Sequence, residues 1–263
     1  VTDLLVVAGE ASGDRAAAAV LGRLEGARAF GLGGPALAAA RVDLVANIRA
    51  STALGVGEVA ARAGGVLRAW RAVLHAVRAR RPRAALLVNY SEFNARLAPK
   101  LQAAGVRVLW YGAPQVWAWR SHRVETLKRW IEQMAVMLPF EEPLWRAAGV
   151  DAHYVGHPAM ETTPLDRETA RHALGMTPFA AAVAILPGSR PHEVRRLLVP
   201  MLEAYERARS DRASVDARVL VAASLDTATR AWVRASCASR RVLTFDVDPY
   251  VGALGLLPAF EVA

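Results

Sequence analysis

The stretch Leu4-Leu5-Val6-Val7-Ala8-Gly9-Glu10-Ala11-Ser12-Gly13-Asp14 decides the fold class. A five-residue apolar run ends in a glycine-bearing loop, and a helical segment from Arg15 to Leu24 follows. An uninterrupted apolar run this short predicts a strand covered on both faces, the habit of a parallel sheet. Glycines let the loop turn sharply and approach a ligand, and the helix start beyond it offers free N–H groups. The spacing is not GxGxxG, so a dinucleotide site is not indicated. A plainer reading has Ser12 or Asp14 capping the helix.

The same alternation of apolar runs and amphipathic segments recurs along the chain, as in βαβ units. Strands are expected at residues 29–32, 84–88, 106–111, 133–137 and 152–155, then in a second set at 181–186, 218–223, 242–245 and 260–263. The turn-rich stretch from His157 to Asp166 breaks the periodicity and reads as a linker. The expectation is therefore an α/β protein with two Rossmann-like domains facing one another across a cleft, residues 1–165 and 166–263. Three or four strands would leave the second sheet with an open edge, so this domain reads as truncated.

Composition narrows the class further. The chain has 263 residues, 54% hydrophobic and 22% charged, which excludes disorder and permits a real core. Basic residues number 33 against 24 acidic, a net charge of +9, yet only Lys100 and Lys128 are lysine. One cysteine, Cys237, excludes a disulfide framework and a cysteine-based zinc site. The first apolar run is too short for a signal peptide, and no window reaches the roughly 18 apolar residues of a membrane span. The expected location is the cytosol, free or at a membrane surface.

A second loop, Leu186-Pro187-Gly188-Ser189-Arg190, also stands between a strand and a helix, here from about His192 to Arg209. A diphosphate there would meet backbone N–H groups, the Ser189 hydroxyl and a guanidinium. Arginine at a helix start opposes the macrodipole unless an anion is near, although Glu193 is an alternative partner for Arg190. Trp117 and Trp119, just past a strand, either wall a cleft or fill a core. His157, alone in a turn, reads as structural. Residues 59–91 hold seven arginines and no acidic residue. Within them Val66, Leu67, Trp70, Val73 and Leu74 share one helical face, and Arg68, Arg71 and Arg78 lie opposite. Such a helix either rests on an anionic membrane surface or simply covers a sheet. No aromatic-interleaved platform accompanies it, so nucleic acid is not expected.

Gly9-Glu10-Ala11-Ser12-Gly13-Asp14, Val116-Trp117-Ala118-Trp119-Arg120, Leu138-Pro139-Phe140-Glu141, Gly156-His157-Pro158 and Leu186-Pro187-Gly188-Ser189-Arg190 occur in an order that resembles the lipid A disaccharide synthases. The resemblance covers essentially the whole chain. It implies a GT-B fold, an inverting glycosyltransferase needing neither cofactor nor metal, and work at the cytoplasmic face of the inner membrane in Gram-negative lipopolysaccharide assembly. Implied partners are a UDP-2,3-diacylglucosamine donor, a 2,3-diacylglucosamine 1-phosphate acceptor and the membrane surface, with a homodimer for a full-length chain. Gly188, Ser189, Arg190 and Glu193 fall on the donor diphosphate side. Gly9, Glu10, Ser12, Gly13, Asp14, Trp117 and Trp119 fall on the acceptor side.

Two departures stand out. Asn89 occupies the position where the family typically carries an aspartate, its catalytic base, and an amide cannot accept that proton at neutral pH. Either Glu92 substitutes for it or turnover is severely reduced. Family members also continue beyond this ending, with a Ser-Gly-Thr stretch that helps hold the nucleotide. Competing readings are a truncated lipid- or membrane-surface binding remnant and another GT-B nucleotide-sugar enzyme.

Overall fold

In the computed structural model residues 3–48, 58–119, 122–161, 163–177, 180–210, 215–247 and 252–260 are described, with backbone alone at 58–63, 119 and 210. The first of two compact units, Val1–Pro158, runs β1 (Asp3–Ala8), α1 (Ala11–Leu21), β2 (Arg28–Gly33), α2 (Pro35–Ala39), β3 (Asp43–Asn47), α3 (Glu58–Arg80), β4 (Ala84–Val88), α4 (Ser91–Ala103), β5 (Arg107–Tyr111), α5 (Val116–Trp119), α6 (Arg123–Leu127), β6 (Gln133–Val136), α7 (Glu141–Ala147) and β7 (Asp151–Tyr154). Its strands form one sheet in the order β3-β2-β1-β4-β5-β6-β7, and every pairing is parallel.

Alternation within the apolar runs explains the layering. Leu5 and Val7 of β1, with Ala85 and Leu87 of β4, enter one core together with Val73 and Val77 of α3. Val6 and Ala8, with Leu86 and Val88, enter the opposite core beneath Ala16 and Ala17 of α1. Both faces of the sheet are thus covered, which is why its central strands read as continuous apolar runs. The edge strand β3 has only half-buried Leu44, Val45 and Ala46 between exposed Asp43 and Asn47. It lacks such a run, and sequence reading missed it.

The second unit, Ala159–Ala263, contains α8 (Arg167–Ala173), β8 (Ala181–Ile185), α9 (Pro191–Ser210), β9 (Val215–Val221), α10 (Thr227–Ala238) and β10 (Leu243–Asp246). Its three strands pair in parallel in the order β10-β9-β8. Asp166 and Asp226 cap α8 and α10, accepting from the Thr169 N–H at 2.9 Å and the Thr229 N–H at 2.7 Å. Arg218 was expected to open a strand, yet it lies in mid-β9 and is 5% exposed. Its guanidinium donates to the Leu174 and Gly175 carbonyls just beyond α8, so the buried cation meets the negative end of a helix. The strand expected at 260–263 is not formed at Phe260, which follows a 3-10 turn (Leu254–Ala259) and packs into the core. Residues 261–263 lie outside the described set.

Candidate functional site

In an open parallel sheet, ligands sit beyond the carboxyl ends of the strands where the strand order reverses. Here that point lies between β1 and β4. Ala8 pairs with Val88, so Gly9 and Asn89 leave the sheet side by side. The loop after β1 is shorter than the sequence suggested. α1 starts at Ala11, its N-cap Glu10 has extended backbone, and no side chain caps it. Glu10 and Ser12 are exposed, and Gly13 is buried beneath Val88.

Asn89 and Tyr90 both adopt left-handed backbone, with φ of 49° and 45°. Strain of this kind concentrates at functional turns, and asparagine is among the few residues that tolerate it. The Asn89 N–H donates to the Tyr111 carbonyl at 3.1 Å, and Asn94 Nδ2 donates to the Asn89 carbonyl at 2.7 Å. The Tyr90 ring covers Gly9, where a Cβ would overlap it. Gly112, at φ 77°, accommodates both Asn89 Oδ1 and Met137 Cε at places a Cβ would occupy, so the turns after β4, β5 and β6 converge there. Glu92, three residues on from Asn89, is held by Arg123: Nη1 donates to Oε1 at 2.6 Å and Nη2 to Oε2 at 3.3 Å.

One convergence joins two motifs that are far apart in sequence. The Trp117 indole N–H donates to Glu141 Oε1 at 3.2 Å, and the Leu138 N–H donates to Glu141 Oε2 at 3.2 Å. Trp117 also meets Phe140 edge to face, with centroids 5.1 Å apart at 85°. The Trp119 side chain lies outside the described residues.

In the second unit, the loop after β8 forms a cradle of hydrogen-bond donors, and a carboxylate of the chain occupies it. Glu193 Oε2 accepts from the Ser189 N–H at 3.3 Å and the Arg190 N–H at 3.2 Å, and Oε1 accepts from Arg190 Nη1 at 3.0 Å. Burial pushes the Glu193 carboxyl upward, but the Arg190 guanidinium and these two N–H groups hold it below its ordinary value. Ser224, past β9, donates its hydroxyl to the Ser189 carbonyl at 3.0 Å and braces the loop.

Two of the side-chain groups singled out from the sequence are engaged within the fold. Asp14 is one of them. Its side chain is 2% exposed, and its carboxylate accepts from the N–H groups of Gly34, Ala36 and Leu37 at 2.6, 2.8 and 3.3 Å, closing the start of α2. The apolar face of α3 is also turned inward: Val73 is fully buried, and Val66, Trp70 and Leu74 pack on the sheet core. A bilayer cannot reach side chains already committed to the sheet. Leu67, Arg68, Arg71 and Arg78 are exposed. Arg68 also lines a cavity of about 170 Å³ with Val45, Asn47, Gly65 and Ala69.

Sequence reading did not assign Tyr90, Arg123, Phe140, Glu141 or Ser224 to a site. For Phe140 and Glu141 the signal was their position in a recognised motif; for the others the sequence carries none.

Two parallel sheets, each with a loop at the carboxyl end of its first strand, define a doubly wound α/β protein of the GT-B type. The fold is similar to that of UDP-GlcNAc 2-epimerase from Neisseria meningitidis, solved bound to UDP-GlcNAc. The TM-score is 0.64 at 7% identity, covering 99% of this chain and 76% of that one. The sequence matches the lipid-A-disaccharide synthetase family model over residues 4–235, and the chain belongs to that family. It is 44% identical over 229 residues to the lipid-A-disaccharide synthase of Myxococcus xanthus, covering 85% of this chain and 60% of that protein. It is 42% identical over 230 residues to that of Anaeromyxobacter dehalogenans, covering 86% and 60%. The chain therefore spans about 60% of the length of these relatives. Among the described residues no helix is long and apolar enough to cross a membrane.

Proposed function

We propose that this chain carries the donor-diphosphate and acceptor elements of a lipid A disaccharide synthase. The reaction moves 2,3-diacylglucosamine from its UDP derivative to 2,3-diacylglucosamine 1-phosphate. The acceptor 6-hydroxyl oxygen bonds to the donor anomeric carbon from the face opposite the diphosphate. The bond from that carbon to the diphosphate breaks with its electron pair leaving on UDP, and the hydroxyl proton passes to a base. The product is a β(1→6) disaccharide 1-phosphate.

Family membership over residues 4–235 is the observation that carries this reading. The chemistry of the cradle supports it. Two backbone N–H groups and the Arg190 guanidinium already hold one carboxylate. A diphosphate presents the same acceptors with more charge, and that charge grows as UDP departs. Gly188 and Ser189 supply the backbone of that site, and Glu193 must turn aside for the donor to enter. At the other loop, Asn89 stands where the base is required and Glu92 is paired with Arg123. The proposed turnover is accordingly low. The exposed side of α3, Leu67 with Arg68, Arg71 and Arg78, is the proposed contact with anionic lipid at the cytoplasmic face of the inner membrane.

Calorimetric titration with UDP tests the donor assignment. Arg190→Ala removes charge-assisted bonds, each worth about 1.5–3 kcal/mol, and should weaken UDP binding by about ten- to a hundredfold. Unchanged affinity would remove the assignment.

A further inference from the structure

We infer that Trp117 and Phe140 form a stacking platform for the pyranose ring of an amino-sugar 1-phosphate, with Glu141 as the positioning residue that fixes it. The inference rests on the acceptor chemistry proposed above and assigns it a place on the first unit. Trp110 and Trp145 are fully buried, whereas Trp117 and Phe140 remain 43% and 49% exposed. Two neighbouring aromatic rings left in water at the carboxyl edge of a sheet make an apolar patch where ligands are expected.

A carboxylate at the edge of the Trp117 ring gives the pair its meaning. Glu141 is the first residue of α7 and 2% exposed, and each of its oxygens takes one N–H donor, the Trp117 indole and the Leu138 backbone. A helix start favours a carboxylate there. Because the indole N–H already donates to Glu141 at the ring edge, Trp117 has no unspent polar donor, and the ring is held at 85° to Phe140. Such a surface recognises a patch of C–H bonds. A pyranose offers one on its face and carries its hydroxyls, amine and phosphate on the rim, where they stay hydrated. The loop that carries Phe140 reaches the switch point, since Met137, three residues before Phe140, shares the space over Gly112 with Asn89. A sugar stacked here lies on the same carboxyl edge as Asn89.

The test is saturation-transfer NMR and affinity measurement with glucosamine 1-phosphate, alongside UDP calorimetry on the same proteins. In the parent chain, saturation should concentrate on the sugar C–H protons. Trp117→Ala and Phe140→Ala should each weaken glucosamine 1-phosphate by about tenfold, and Trp117→Phe, which keeps a ring face, should retain most of the affinity. Glu141→Leu should lose as much as Trp117→Ala, whereas Glu141→Gln, which keeps an acceptor for the indole, should not. In Trp117→Phe, which has no indole N–H, Glu141→Leu should have little further effect on the saturation pattern. UDP affinity should be the same in every variant. Failure of the parent to bind glucosamine 1-phosphate, unchanged affinity in both alanine variants, or a dimer lost in Phe140→Ala with sugar binding intact would each overturn the platform. UDP that fails to respond to Arg190→Ala while the sugar pattern holds would instead count against the donor reading and leave the platform standing.

Discussion

Replacing Asp14 separates a binding role from a structural one. At the start of α2 the groups needing an acceptor are the N–H of Gly34, Ala36 and Leu37, because Pro35 has none and the Ala38 N–H already donates to the Gly34 carbonyl at 3.0 Å. All three donate to the single Asp14 carboxylate, at 2.6, 2.8 and 3.3 Å. Asp14→Ala removes two short charge-assisted bonds and one long one from a buried site. At about 1.5–3 kcal/mol for each good bond, less what water recovers, the first unit should lose about 3–4 kcal/mol. For a unit of this size that corresponds to a melting temperature lower by about 10 °C. Asp14→Asn keeps the shape but turns an amide toward at least one N–H, so it should cost about 1–3 kcal/mol. Thermal unfolding followed by tryptophan fluorescence measures both, and calorimetry with glucosamine 1-phosphate below the transition should find binding unaltered. An Asp14→Ala protein that melts within about 2 °C of the parent but no longer binds the sugar phosphate would refute the reasoning and restore Asp14 to the ligand side.

Three further outcomes are expected. Asn89→Asp places a carboxylate in the same volume above Gly112, so in an otherwise complete protein the proposed transfer, followed in single turnover, should rise by about 10²–10⁴; no rise would locate the base elsewhere. Glu193→Gln should tighten UDP binding a few-fold by removing the competing charge from the cradle, measured by calorimetry at neutral pH. The folded-state value of Glu193 lies below its ordinary 4.5. Its contribution to stability is therefore present above about pH 4.5 and lost as the pH falls through the folded value. Melting temperatures of parent and Glu193→Gln should converge on acidification, and a gap that widens there would contradict the sign. Burial pushes the Cys237 thiol up to about 11, so an aromatic disulfide reagent at pH 8 should leave it unmodified until denaturant is added.

Much of the architecture was legible because it rests on short-range pattern. A strand covered on both faces must be apolar at every position, and 4–8 and 84–88 are. The glycine-bearing turns that follow were legible for the same reason. β3 was not, because an edge strand with one neighbour has no need of that signature. Arg218 misled for the opposite reason: a charge inside β9 is tolerable because two carbonyls beyond α8 and the Ala217 carbonyl receive it, with the Asp216 carboxylate nearby.

From the sequence alone came two parallel α/β units, the two loops and the family. Which partner each polar side chain takes was decided by the tertiary structure. Asp14 had the right residue type for a ligand site, but its partners lie 20 or more positions away, and only the packing of α1 on α2 turns it into a cap. The apolar stripe of α3 suited a bilayer or a sheet equally, and the position of β2 and β3 beneath it turned it to the sheet. Trp117 and Glu141 stand 24 positions apart and meet because β5 and β6 are neighbours. Periodicity specifies which face of an element is apolar. It carries no information on which distant group completes a hydrogen bond, because that depends on distances the fold alone creates.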